Sequence, residues 1–159
     1  METLSASQFV AFLAGIFDAE GTIYFHRKDA QGDSEVYLTN KDNELLRRIQ
    51  KTLKQLGLFS KLEQRVQDPE RMENGKSGTI SRLVIWRQDD VQRLLKSLEL
   101  GHDEKKRKKM LALEFAGAVD ASRRNTILDS WEALLGKISS DRDKFAKAAF
   151  TGLRTKQHA

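Results

Sequence analysis

The chain has 159 residues, 39% of them apolar, which is enough for one compact domain with a hydrophobic core. Lys and Arg outnumber Asp and Glu by 28 to 23, and the net charge of +5 suits a polyanionic partner such as nucleic acid without requiring one. The sequence contains no cysteine, which excludes disulfides, cysteine-ligated zinc and thiol catalysis. No stretch approaches the roughly 20 apolar residues of a membrane span, and no secretory leader is recognisable. We therefore expect a soluble intracellular protein of the cytoplasm or an organelle matrix, not secreted and without a membrane partner.

The start of the chain predicts a helix followed by a strand pair. Residues 5–19 carry apolar side chains at helical spacing, and Ser5 and Gln8 form a capping-box pair at the beginning. Two strand-like runs follow at 22–28 and 35–39, separated by a polar stretch that suits a hairpin turn.

A second helix and strand pair come next in the sequence. Residues 43–56 have one apolar helical face, and strands are predicted at 59–66 and 80–87, joined by a loop that holds the only proline, Pro69. From Asp89 onward the apolar spacing predicts three or four helices. The expected order is αββαββ followed by helices, which is an α+β arrangement.

A four-stranded antiparallel sheet with helices on one face leaves its other face to water or to a ligand. One alternating set of side chains in these strands is mostly polar and includes Arg, Lys, His and Tyr. Such side chains match the hydrogen-bonding edges of bases in a DNA major groove, although the same alternation also fits a face that only contacts water. The candidate DNA-binding residues of this face are Thr22, Tyr24, His26, Lys28, Tyr37, Lys61, Glu63, Arg65, Arg82, Val84 and Trp86.

The most informative motif is the nonapeptide Leu-Ala-Gly-Ile-Phe-Asp-Ala-Glu-Gly at residues 13–21, at the end of the first predicted helix. Ala11, Ala14 and Gly15 are small enough for this helix to pack closely against a symmetry-related copy. That packing would bring two copies of Glu20 together, and like charges tolerate such proximity only with cations between them. The motif thus predicts a dimer with a divalent metal at the helix ends.

The nonapeptide and the order of elements resemble the LAGLIDADG homing endonucleases of the single-motif, homodimeric type. The resemblance implies an αββαββα homing-endonuclease fold whose sheet forms a saddle on double-stranded DNA. It implies site-specific cleavage of a long, pseudo-palindromic target, with a staggered double-strand break and 3′ overhangs. It also implies that Glu20 and the backbone carbonyl of Ala19 bind Mg²⁺ (or Mn²⁺).

The resemblance implies further catalytic residues. Asn40 holds the place of a polar residue that orders water near the metal, but asparagine also suits a turn or a helix start. Lys105 holds the place of a lysine that contacts the same water network, with Lys106 as the second candidate, whereas Lys108 and Lys109 fit a solvated helix face. Asp18, although placed at the dimer interface, is expected to make structural hydrogen bonds to backbone or to the partner subunit.

One position departs from the family pattern. The family often has a basic residue shortly after Asn40, but Glu44 stands there in this chain. Lys41 or Arg47 could substitute for it.

The chain contains one complete copy of the motif. Residues 115–122 are a partial repeat, or echo, of the motif. The echo has Ser122 in place of the acid and is not followed by a second predicted sheet. We therefore expect a homodimer of a single domain, 1–159, with an αββαββα core at 1–100 and C-terminal helices at 101–159. A maturase that binds intron RNA and a catalytically silent DNA-binding regulator are alternatives on the same fold, and the host element could be an intron or an intein.

Overall fold

The computed structural model describes residues 4–26, 33–66 and 78–156. Within them the helices and strands follow the predicted order, with three helices after the second strand pair. The elements are α1 (Ala6–Glu20), β1 (Gly21–His26), β2 (Asp33–Asn40), α2 (Asn43–Gln55), β3 (Lys61–Val66), β4 (Thr79–Ile85), α3 (Gln88–Ser97), α4 (Asp103–Gly117) and α5 (Ala121–Lys156). The predicted α+β class is therefore confirmed. None of the helices in the described ranges is long and apolar enough to cross a membrane.

The four strands form one antiparallel sheet in the order β1-β2-β4-β3. The register aligns four residues across the whole sheet: Thr22 with Tyr37, Tyr37 with Val84, and Val84 with Lys61. Because side chains alternate along each strand, these residues share one face and their sequence neighbours share the other.

Helices α1 to α4 cover only one face of the sheet. Most sheet residues on that side are apolar and buried, Ser34 and Ser81 being buried polar members, and the helix residues that pack on them are mostly apolar. The ring of Phe25 in β1, for instance, meets that of Phe115 in α4 edge-on at 5.2 Å between ring centres. The opposite face carries the polar alternating set, as the sequence predicted.

Helix α1 begins with the predicted capping box: Gln8 N donates to Ser5 Oγ at 3.3 Å, and Ser5 N donates to Gln8 Oε1 at 2.9 Å. The residue that follows it, Gly21, is glycine for a steric reason, since a Cβ there would clash with the ring and carbonyl of Phe17. Gly57 after α2 has a φ of +71°, the left-handed conformation that commonly ends a helix.

Strand β3 begins at Lys61 instead of the predicted Phe59. The backbone N–H of Phe59 donates to the buried carboxylate of Asp90 in α3 at 3.2 Å, which withdraws it from the strand ladder. The predicted loop around Pro69 and the predicted strand end at Lys28 lie outside the described residues.

The chain divides into two compact units, Met1–Gly117 and Ala118–Ala159. The first contains the sheet and α1 to α4. The second contains α5, in which Ile127, Leu128 and Trp131 are buried. Because α5 is one continuous helix through Lys156, no second sheet follows the echo of the motif within the described chain. The single-domain organisation stays a prediction.

Candidate active site

Glu20 is the last residue of α1, immediately before the sheet begins at Gly21. Its side chain is exposed and makes no hydrogen bond or ion pair with other residues in the described part of the chain. No group of three or more acidic or histidine side chains able to hold a metal occurs among the described residues. A cation here would thus take one carboxylate and backbone oxygens from this chain. That donor set fits Mg²⁺, which prefers oxygen ligands and keeps several waters.

Lys105 in α4 holds the end of α1 from the side. Its Nζ donates to the carbonyl oxygens of Phe17 at 2.7 Å and of Asp18 at 2.5 Å. These carbonyls belong to the last turn of the helix, where a cation is favoured by the helix dipole. The carbonyl of Phe17 also accepts from the backbone N–H of Gly21. Burial lowers the pKa of Lys105, while the nearby Asp18, Glu104 and Glu20 oppose that shift.

Asp18 also joins α1 to the start of α4, through its side chain. Its carboxylate accepts from the backbone N–H of Gly101 at 2.5 Å and of His102 at 3.2 Å, in the segment that leads into α4. The prediction that Asp18 bonds to backbone is confirmed. Its place at a dimer interface stays a prediction. Asp18 and Lys105 together tie the α4 N-terminus to α1 next to Glu20, and we call this pair of contacts the α1–α4 clasp.

Two further lysines of the basic run at residues 105–109 of α4 also have structural partners. Lys109 donates to the carbonyl of Leu98 at the end of α3 at 2.6 Å, and Lys108 bonds Glu104 at 2.6 Å with only 13% of its side chain exposed. The expectation that Lys108 and Lys109 lie on a solvated face was therefore wrong, because their long side chains reach across to satisfy groups of their own chain. Lys106 and Arg107 are the exposed members of the run.

Asn40 ends β2, and its side chain takes the turn role that was one of its two predicted readings. Its Oδ1 accepts from the backbone N–H of Asp42 at 2.8 Å, and Asp42 in turn caps α2. The amide nitrogen of Asn40 makes no hydrogen bond with the described residues, so a role in ordering water stays a prediction. Glu44 forms an exposed ion pair with Arg48 at 3.0 Å, and Lys41 and Arg47 are exposed.

Small residues form an exposed line along α1. Ala11, Gly15 and Ala19 are four apart and all exposed, and a Cβ added to Gly15 would meet nothing within 4 Å. Ala14, also predicted to contact a partner helix, is only 6% exposed and faces the core of its own chain. The alternation of 3.6 residues per turn places it about 100° away from Gly15 on the helix.

The open face of the sheet carries most of the predicted DNA-binding residues. Tyr24 and Trp86 are 45% and 44% exposed, and His26 bonds Glu35 at 2.9 Å. Val84 shares this face but is 7% exposed, so its side chain is covered in the isolated chain. Lys28 lies outside the described residues.

Charged side chains on β3 and β4 make contacts across the open face. Glu63 bonds Lys61 at 3.1 Å and Arg65 at 3.6 Å along β3, and the guanidinium of Arg82 lies 4.0 Å from the ring centre of Tyr37. The hydrogen bond from Lys61, with the charges of Lys61 and Arg65, holds the pKa of Glu63 below its usual value.

Sequence reasoning missed three members of this region. Glu35 and Thr39 flank Tyr37 on the same face of β2, and the alternation of that strand already carried the signal. Phe59 is 51% exposed, and the guanidinium carbon of Arg87 lies 4.0 Å from its ring centre, a contact that no local sequence pattern indicates.

Residues 7–99, more than half of the chain, match the family model described as a LAGLIDADG-like domain. No sequence among the curated proteins matches the chain.

Two solved structures of the homing endonuclease I-CvuI are similar in fold. One, in complex with its target in the presence of Ca, has a TM-score of 0.55 and 19% identity, covering 84% of this chain and 81% of that one. The other, in complex with the I-CreI target in the presence of Mg with the DNA not cleaved, has a TM-score of 0.50 and 20% identity, covering 82% and 79%. At these identities the similarity establishes the fold.

Proposed function

The chain belongs to the LAGLIDADG family, and on that premise we propose that it is a homing endonuclease that cuts double-stranded DNA at a specific site. The observation that carries the proposal is Glu20, an exposed carboxylate fixed at the end of α1 by the α1–α4 clasp and directly joined to a sheet with an open polar face. The structural relatives, described as homing endonucleases bound to their DNA targets, support the same activity.

Glu20 and the carbonyl oxygen of Ala19 would hold Mg²⁺, or Mn²⁺ in its place. When bound, the metal supplies an activated water and stabilises charge that develops on the scissile phosphate. Lys105 positions the last turn of α1 beside the site through its hydrogen bonds to Phe17 and Asp18. The amide nitrogen of Asn40 is available to hold a water. These assignments of Glu20, Ala19, Asn40 and Lys105 as the site are part of the proposal.

Double-strand cleavage requires two such sites, and the chain has one. The exposed line of Ala11, Gly15 and Ala19 gives α1 a flat strip on which a second copy of α1 can pack. A homodimer formed there brings two Glu20 side chains together, each cutting one strand. We propose that the cuts are staggered and leave 3′ overhangs at the centre of a pseudo-palindromic target.

The open face of each sheet would lie along the major groove of one half-site. Its hydroxyl, guanidinium, ammonium and carboxylate groups can bond base edges, which gives specificity. Lys and Arg contacts to phosphates would make the affinity fall with increasing salt.

The activity can be tested by incubating the purified chain and Mg²⁺ with a plasmid library of random inserts and sequencing the ends of linear products. The proposal predicts cleavage at sites that share one sequence, and Glu20→Gln should abolish it. Glu114→Gln, which removes an exposed carboxylate of α4, should retain it. Binding without cleavage in both Mg²⁺ and Mn²⁺ would exclude a nuclease. Tighter binding to intron RNA than to DNA would assign the maturase function instead.

A further inference from the structure

The open sheet face holds two opposite charges directly across from each other on β4 and the edge strand β3. Arg82 in β4 pairs with Glu63 in β3 in the antiparallel register. Directly opposed residues have Cβ atoms about 5 Å apart, close enough for an ion pair. Among the described residues, however, Glu63 forms ion pairs with Lys61 and Arg65 of its own strand and Arg82 forms none. The two charges thus stand side by side without neutralising each other.

Each of the two side chains is oriented by a neighbour. The guanidinium carbon of Arg82 lies 4.0 Å from the ring centre of Tyr37, a cation–π contact that holds the group beside the ring, and its N–H donors have no partners among the described residues. The carboxylate of Glu63 is bracketed by Lys61 and Arg65, which keep it ionised as an acceptor. Preorganised groups lose less conformational entropy when a partner binds.

Arg82 presents hydrogen-bond donors beside the acceptor of Glu63, and this order complements the major-groove edge of one base pair. In the major groove, guanine presents two acceptors, N7 and O6, and the paired cytosine presents its N4 amino donor beside them. Arginine donates to the two guanine atoms in a bidentate manner, and a carboxylate accepts from cytosine N4. Lys61 and Arg65 already compensate the charge of Glu63, so its carboxylate can approach DNA and offer its remaining acceptor sites to a base that donates a hydrogen bond.

We propose that Arg82 and Glu63 together read one C·G base pair in each half-site, Arg82 binding the guanine and Glu63 the cytosine. The proposal rests on the DNA-binding function proposed above and specifies a part of its target. Tyr37 acts as the positioning residue for Arg82, and Lys61 and Arg65 do so for Glu63.

The experiment selects bound duplexes from a random DNA library with the full-length chain in Ca²⁺, which separates binding from cleavage. The wild type should enrich a site with a C·G pair at a symmetric position of both halves. Arg82→Ala should lower the preference for that pair by about 10- to 100-fold and leave the other positions unchanged. Glu63→Gln should weaken the preference for cytosine at the same pair, because the amide offers one acceptor oxygen where the carboxylate offers two.

Two controls distinguish base reading from a general effect of charge. Arg48→Ala removes an exposed arginine of α2, away from the sheet, and should leave the profile unchanged. Replacing the guanine by 7-deazaguanine, which lacks the N7 acceptor, should weaken wild-type binding and have no effect on Arg82→Ala.

Each of the following results would overturn a different part of the proposal. If Arg82→Ala weakens binding to all sequences equally and makes the salt dependence shallower, Arg82 contacts phosphate and the inference is wrong. If the two substitutions alter different base pairs, the shared reading is wrong. A wild type that selects a site unaffected by either substitution overturns only this inference, whereas a wild type that selects no DNA sequence overturns the proposed function with it.

Discussion

The ammonium of Lys105 donates a 2.5 Å hydrogen bond to the carbonyl oxygen of Asp18, while the carboxylate of Asp18 accepts from the backbone that leads into α4. Two elements far apart in sequence are thereby joined beside Glu20. The exposed carboxylate of Glu20 consequently projects from a helix end at which the carbonyls of Phe17 and Asp18 are already bonded. The metal-binding role proposed for Glu20 depends on this support, because displacement of the helix end displaces the carboxylate.

Replacing Lys105 by methionine tests the clasp. The variant keeps the apolar stem but leaves the carbonyls of Phe17 and Asp18 without the ammonium, so we expect the free energy of unfolding to fall by about 1–3 kcal/mol. Urea denaturation measures this loss. The rate of DNA cleavage should also fall under conditions in which the variant is fully folded, because the end of α1 is less well fixed.

Lys106→Met is the matched control for that measurement. Lys106 is the next residue of α4 and has only an exposed ion pair with Asp103 at 3.4 Å. Such surface pairs contribute about 0–1 kcal/mol. Equal stabilities of the two variants would show that the clasp contributes nothing specific.

Gly15→Leu tests the proposed dimer without affecting the fold of one chain. A side chain at this position meets open space in the isolated chain, but it would occupy the strip on which a second α1 packs. We expect the variant to stay folded and to sediment as a monomer at concentrations where the wild type is a dimer. Double-strand cleavage should be lost with it.

Gly136→Leu provides the control for this substitution. Gly136 is also an exposed helical glycine with nothing within 4 Å of an added Cβ, but it lies in α5. The variant should remain a dimer. A Gly15→Leu protein that still dimerises would place the interface elsewhere.

The ionisation of Glu63 is predicted to depend on its own strand. The hydrogen bond from Lys61, aided by the charges of Lys61 and Arg65, lowers the pKa of Glu63 below its ordinary value of 4.5. Since the pKa is lower in the folded state, these contacts stabilise the fold fully above pH 4.5, and the contribution is lost as the pH falls through the lowered pKa.

A ¹³C NMR titration of the Glu63 carboxyl carbon measures this directly. Lys61→Ala should raise the pKa of Glu63 more than Arg65→Ala, because the Lys61 hydrogen bond is its largest cause. Lys96→Ala, which removes an exposed charge from α3, should leave it unchanged. A wild-type midpoint at or above 4.5 would contradict the account.

Local patterns in the sequence predicted the elements and the faces they present. Helical spacing placed Glu20 at the end of α1, and strand alternation placed Arg82 and Glu63 on the open face, because both patterns depend on neighbouring residues only. The cross-strand opposition of Arg82 and Glu63 depends on register, which alternation within one strand does not fix.

Contacts between distant parts of the chain could not be predicted in this way. Lys105 was proposed for the site through the family resemblance, but its bonds to the end of α1 required the packing of α4. The sequence predicts a solvated Lys109, whereas its ammonium bonds the carbonyl of Leu98 at the end of α3. Val84 is buried although its strand position is polar-facing, because burial there depends on Tyr37 and Lys61 of the neighbouring strands.

If each of two Glu20 residues cuts one DNA strand, as we propose, a heterodimer of one wild-type chain and one Glu20→Gln chain should cut only one. The heterodimer is obtained by co-expressing the two chains with different affinity tags and purifying through both. With supercoiled plasmid that carries the selected site and Mg²⁺, it should give a nicked circle and almost no linear product, whereas the doubly tagged wild-type dimer should give linear DNA. Linear product from the mixed dimer at a rate near that of the wild type would show that one Glu20 is enough to cut both strands.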